Sequence, residues 1–110
     1  MDIEEKIKEI ENNLKPYETD YLNITCKIVS SNSIDIFFEF LKSFKNPNEK
    51  VKEIIKDINN NFNYDIKTYI DCINHSNKKI IDINYLKTPE SNVYRCEYQI
   101  LQAGDSNENN

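Results

Sequence analysis

Apolar residues recur every three or four positions at the start of the chain. Ile3, Ile7, Ile10 and Leu14 fall on one stripe of a helix over residues 2–15. Asp2 is placed to cap its first turn with Glu5 three residues on, and Pro16, which lacks an amide hydrogen, stops it near Lys15. Its polar face carries Glu4, Glu5, Glu9 and Glu11 with Lys6 and Lys8, the make-up of a solvated surface. Over residues 20–30 the period changes to two, with Leu22, Ile24, Cys26 and Ile28 on one side and Tyr21, Asn23, Thr25 and Lys27 on the other, as in a half-buried strand. Ser31-Asn32-Ser33 breaks that alternation and offers a hydroxyl cap to a second helix, in which Ile34, Phe37, Phe38, Leu41 and Phe44 recur at helical spacing. After the turn Asn46-Pro47-Asn48, the residues Val51, Ile54, Ile55, Ile58 and Phe62 define a third helix.

The last third of the chain reads as strands. Residues 64–74 fit a helix through Ile66, Tyr69, Ile70 and Ile73, and a strand through Ile66, Thr68, Ile70 and Cys72; β-branched content favours the strand. Asn74-His75-Ser76-Asn77 is a turn, Ile81, Ile83 and Tyr85 alternate with Asp82 and Asn84, and residues 88–92 make the next turn. In residues 93–101, Tyr94, Cys96, Tyr98 and Ile100 face one side and Arg95, Glu97 and Gln99 the other. Strands joined by short turns pair antiparallel, and three amphipathic helices need one apolar sheet face. The expected fold is therefore α+β, a two-layer sandwich of order α-β-α-α-β-β-β, with three helices on one face of a mainly antiparallel four-stranded sheet. It occupies residues 1–103, and the polar segment 104–110, with nothing to bury, is expected to be a mobile tail.

Composition narrows the function classes. The 110 residues carry 14 Lys and Arg against 19 Asp and Glu, a net charge of −5, with the lysines scattered among acids. A nucleic-acid binder gains its affinity from clustered cations that displace phosphate counterions, so nucleic acid is not expected as a partner. No run of residues approaches the length of a membrane span, and Met1–Glu5 has neither the basic start nor the apolar stretch of a secretory signal, so a cytoplasmic protein off the membrane is expected. Abundant Ile and Asn, 17 of each, and 13 Lys point to AT-rich coding.

Candidate chemistry is sparse. Gly104 is the sole glycine, which excludes a glycine-rich phosphate loop. His75, the sole imidazole, falls in a predicted polar turn. Cys26, Cys72 and Cys96, an odd number, read as buried reduced thiols rather than as a disulfide framework; Cys72-Ile73-Asn74-His75 has half the spacing of a zinc site, but Cys26 and Cys96 stand alone. Asp65, Asp71 and Asp82 share a metal only if strand register brings them together. The two Asn-x-Ser/Thr triplets, at Asn23 and Asn74, are a number that 17 Asn and 11 Ser or Thr produce by chance. No catalytic, metal or cofactor-binding residue is assigned, and no cofactor is expected.

One surface remains. On the outer sheet face, Tyr21, Lys27, Tyr69, Arg95 and Glu97 form an expected mixed aromatic and charged patch, with Arg95 the sole arginine. Tyr and Arg dominate interface energetics, and Arg offers a planar two-pronged contact that Lys cannot. The sequence therefore supports a non-catalytic protein-binding module with a protein partner, such as a small acidic inhibitor, immunity or adaptor protein. The alternatives are a structural subunit that self-assembles, as a homodimer or larger, through an open first or last strand, and a small enzyme or ligand cup using Tyr94, Tyr98, Asp82 or His75.

Overall fold

The computed structural model of the protein describes residues 2–73 and 91–99, with the backbone alone described for 68–73 and 91. Helix α1 spans Ile3–Leu14, and a 3₁₀ turn follows over Lys15–Tyr17. The capping box forms as the sequence implies: Glu5 N–H donates to Asp2 Oδ1 at 2.8 Å and Asp2 N–H to Glu5 Oε1 at 3.3 Å. Strand β1 is Leu22–Ser30, β2 is Ser33–Leu41, helix α2 is Pro47–Phe62, β3 is Lys67–Ile73 and β4 is Ser91–Gln99. The strands form one antiparallel sheet in the order β1-β2-β4-β3.

This overturns the expected order. Residues 34–44 do not form a helix: they are mostly β2, the hairpin partner of β1, joined to it through the two-residue loop Ser31-Asn32. Among the described residues the helices number two, and α1 and α2 share one face of the sheet through a common core. The expected strand at 81–85, the turn at 74–77, and the tail 104–110 lie outside the described residues. The last strand is not an edge, since β4 lies between β2 and β3, and among the described residues β1 and β3 are at the margins.

The reason lies in the two faces of β2. Ile34, Ile36, Phe38 and Phe40 alternate onto the helix side and are fully buried there with Ile10 and Leu14 of α1 and Val51, Ile54, Ile55 and Ile58 of α2. Phe37, on the opposite face, is buried as well. An apolar residue on the second face blurs the alternation and imitates helical spacing, and burial on both faces is a condition that erases the period-two signal.

Helix α2 ends where Asn63 adopts a left-handed conformation, φ 57°, and Tyr64 N–H reaches back to the Asn59 carbonyl at 3.2 Å. The side chain of Asn59 then holds the chain that leaves the helix. Its Oδ1 accepts the Ile66 N–H at 3.0 Å and its Nδ2 donates to the Ile66 carbonyl at 3.2 Å, a strand-like pairing that aims residue 66 at β3. Among the described residues no helix is long and apolar enough to cross a membrane.

Candidate functional site

The face of the sheet away from the helices carries a row of charge that only the strand register creates. Lys27 of β1 stands opposite Asp35 of β2, Asp35 opposite Glu97 of β4, and Glu97 opposite Lys67 of β3, so the row crosses every strand. Two carboxylates placed directly opposite repel, and Arg95 offsets this. Its Nη1 lies 3.7 Å from Asp35 Oδ2 and 3.9 Å from Glu97 Oε2, while the Asp35 side chain is largely buried and that of Arg95 is one-third exposed. Burial, and to a lesser degree Glu97, pushes the Asp35 carboxyl above its usual range, although Arg95 and Lys27 pull the other way. In the next row Arg95 stands opposite Phe37 on one side and Asp71 on the other.

Of the residues named from sequence, Lys27, Arg95 and Glu97 are brought together on this face. Tyr21 is not. It precedes β1 in a turn closed by the Thr19–Leu22 bridge, and its ring stacks on Phe44 at 4.7 Å, with Phe44 in turn on the core residue Phe40 at 5.0 Å. Tyr69 lies on β3. Asp35 was missed because it fell inside the expected helix; the alternation Ile34, Ile36, Phe38, Phe40 is the signal that places it. Phe37, Glu39 and Val93, also on this face, are buried, so it is not the evenly solvated surface of a simple half-exposed sheet.

A second polar cluster ties the helix layer together. Tyr64 O–H donates to Glu9 Oε2, Asn13 Nδ2 donates to the same phenol oxygen at 2.8 Å, and Lys6 Nζ sits 5.5 Å over the Tyr64 ring and 3.6 Å from Glu9. Burial and the bond to Glu9 hold the Tyr64 phenol far above its ordinary pKa, and burial raises that of Tyr98, whose ring is 5.5 Å away. The bonds of Glu9 and Asn13 to Tyr64 fasten α1 to the segment that follows α2, a structural role. Tyr64→Phe is expected to cost about 1–3 kcal/mol, since it strands both the Asn13 donor and the Glu9 acceptor. Urea titration checks this, and an unchanged midpoint would remove the cluster from the stability account.

Of the four residues of the catalytic alternative, two are described. Tyr94 and Tyr98 are core side chains, Tyr94 edge-on to Phe40 at 5.9 Å, while Asp82 and His75 lie outside the described residues. Cys26 and Cys96 flank Ile36 in one row of the helix-side face, two strand spacings or ~10 Å apart, beyond the reach of one tetrahedral ion or one disulfide. Asp65 pairs with Lys67 at 3.8 Å and Asp71 stands opposite Arg95. Among the described residues no three His, Cys, Asp or Glu side chains form a metal-binding group. An open depression of about 370 Å³ is lined by Lys52, Ile55, Lys56, Asn59, Asn60 and Ile66, but the Asn59 amide there is committed to the Ile66 backbone. No family model matches the chain, and neither a curated protein nor a solved structure shows significant similarity to it.

Proposed function

We propose that the chain is a non-catalytic protein-binding module, a small acidic inhibitor, immunity or adaptor protein, that meets its partner through the charged face of the sheet. The observation that carries this reading is the sole arginine set between Asp35 and Glu97 and still one-third exposed. A guanidinium already ordered by two carboxylates loses little rotamer freedom on docking, and Arg so placed is a common energetic anchor of interfaces. Lys27, in register with Asp35, adds a second cation. The partner is a protein surface that brings carboxylates to these two cations.

Arg95→Lys separates binding from folding. It keeps the positive charge that offsets Asp35 and Glu97 and removes only the planar fork. Tagged wild-type protein is expected to retain one stoichiometric partner from its native cells, identified by mass spectrometry. Arg95→Lys is expected to hold that partner at least tenfold more weakly, about 1.4 kcal/mol, with a Tm close to that of the wild type. Equal affinity of both proteins, or no partner besides the chain itself, would sink the reading.

A further inference from the structure

Among the described residues strand β1 is a margin of the sheet, and its backbone directions are fixed by what its residues bond. Leu41 N–H bonds the Tyr21 carbonyl at 3.1 Å, so odd-numbered positions at this end of β1 turn toward β2. The even-numbered ones turn outward: Leu22 exchanges both of its bonds with Thr19, and Ile24 N–H donates to Glu18 Oε2 at 3.0 Å. By the same alternation Cys26 and Ile28 present N–H and C=O to the open edge, and among the described residues nothing bonds them there. Beyond Ile28 the ladder to β2 is interrupted by a bulge at Val29, which is 56% exposed. Ile28 is itself 37% exposed.

Such an edge is a template for a second copy of the same strand. Three antiparallel self-pairings are available, and they differ in what they demand. Pairing Cys26 with the Ile28 position of a second copy sets Lys27 directly against its own equivalent, a like-charge pair. Pairing Ile28 with itself runs the ladder through the bulge. Pairing Cys26 with itself avoids both faults, because Lys27 then faces Thr25 and the ladder ends at Ile28. That register requires the outward N–H of Ile24 at both ends, and Glu18 already occupies it.

We propose that Glu18 is an edge guard, whose carboxylate on the Ile24 N–H prevents β1 from pairing with β1 of a second copy about Cys26. It acts twice in any such dimer, once at each end of the symmetric ladder. It also keeps a negative charge, together with Glu11, near the Cys26 position where the two copies would meet.

Sedimentation across a wide concentration range tests this. Wild type is expected to show no association that depends on this edge. Glu18→Ala is expected to self-associate at least tenfold more tightly, whereas Glu18→Gln, which keeps an acceptor for Ile24, stays close to wild type. In the Glu18→Ala background, Thr25→Lys sets a cation against Lys27 and is expected to abolish association, while Thr25→Glu strengthens it. The proposal is overturned if folded Glu18→Ala remains monomeric, or if its association ignores residue 25. Amide exchange in the wild type keeps the idea testable should Glu18→Ala unfold. Ile24 is expected to exchange slowly and Cys26 and Ile28 fast, and a fast Ile24 or a slow Ile28 contradicts the guard.

Discussion

Phe40→Ala is expected to cost about 3–5 kcal/mol, whereas Leu41→Ala, one residue on, is expected to change stability by less than about 1 kcal/mol. Phe40 is fully buried on the helix side of β2, stacked on Phe44 at 5.0 Å and edge-on to Tyr94 at 5.9 Å, so truncation leaves a void lined by rigid rings. Leu41 ends the strand and is 43% exposed. A small domain has about 5–15 kcal/mol in hand, so the first variant is expected to unfold at low urea and the second to track the wild type. The pair ranks the two readings of residues 34–44 against each other. A helix through Ile34, Phe37, Phe38, Leu41 and Phe44 would bury Leu41 and expose Phe40, and the two midpoints would exchange places.

That segment shows where sequence pattern loses its grip. Helix α1 was legible because local chemistry sets both ends: Asp2 and Glu5 make the capping box and Pro16 ends the α-helical bonding at Leu14. Helix α2 was legible through Val51, Ile54, Ile55 and Ile58, all of which are buried. Residues 34–41 were not, because Phe37 on the second face is buried and, with Ile34, Phe38, Leu41 and Phe44, imitates helical spacing that masks the alternation of Ile34, Ile36, Phe38 and Phe40. The stronger signal was Ser31-Asn32 between two runs rich in Ile, Val and Phe, a two-residue loop of hairpin length. Without that hairpin β2 is absent from the expected sheet, and with it Asp35, the carboxylate that gives Arg95 its setting.

The charged face was partly legible for a different reason. Alternation alone puts Lys27, Arg95 and Glu97 on the polar side of their own strands, but their meeting depends on which strand lies beside which. The insertion of β4 between β2 and β3 makes Asp35, Glu97 and Lys67 neighbours, and strand order is a property of the whole core rather than of any segment. Tyr21 fails by the opposite route. Parity assigns it to the outer face, yet the Thr19–Leu22 turn begins β1 one residue later and frees the ring to stack on Phe44.

Alkali is expected to destabilise the protein steeply from about pH 9 upward. Burial pushes the thiols of Cys26 and Cys96 from 9.0 up to about 12, and raises Tyr17, Tyr64 and Tyr98 above 10.0 as well. An acid whose pKa is raised by folding keeps its proton in the native state after the unfolded chain has lost it. Its stabilising contribution is therefore complete below the unfolded value and is lost as pH climbs toward the folded one. Each thiol therefore gives up stability as pH climbs from roughly 9 toward 12, with fully buried Cys96 and partly buried Cys26 acting in the same direction. Buried tyrosines add to the slope above pH 10. Urea midpoints under reductant are expected to be level below pH 8 and to fall steeply from pH 9 to 11. Cys26→Ala with Cys96→Ala starts lower at pH 8 because small voids replace the sulfurs, but descends more gently above pH 9. A wild-type midpoint that stays level to pH 10.5, or equal slopes in the two proteins, would mean that these thiols ionise as freely in the folded chain as in the unfolded one, and that the sheet row Cys26–Ile36–Cys96 does not lie in the core.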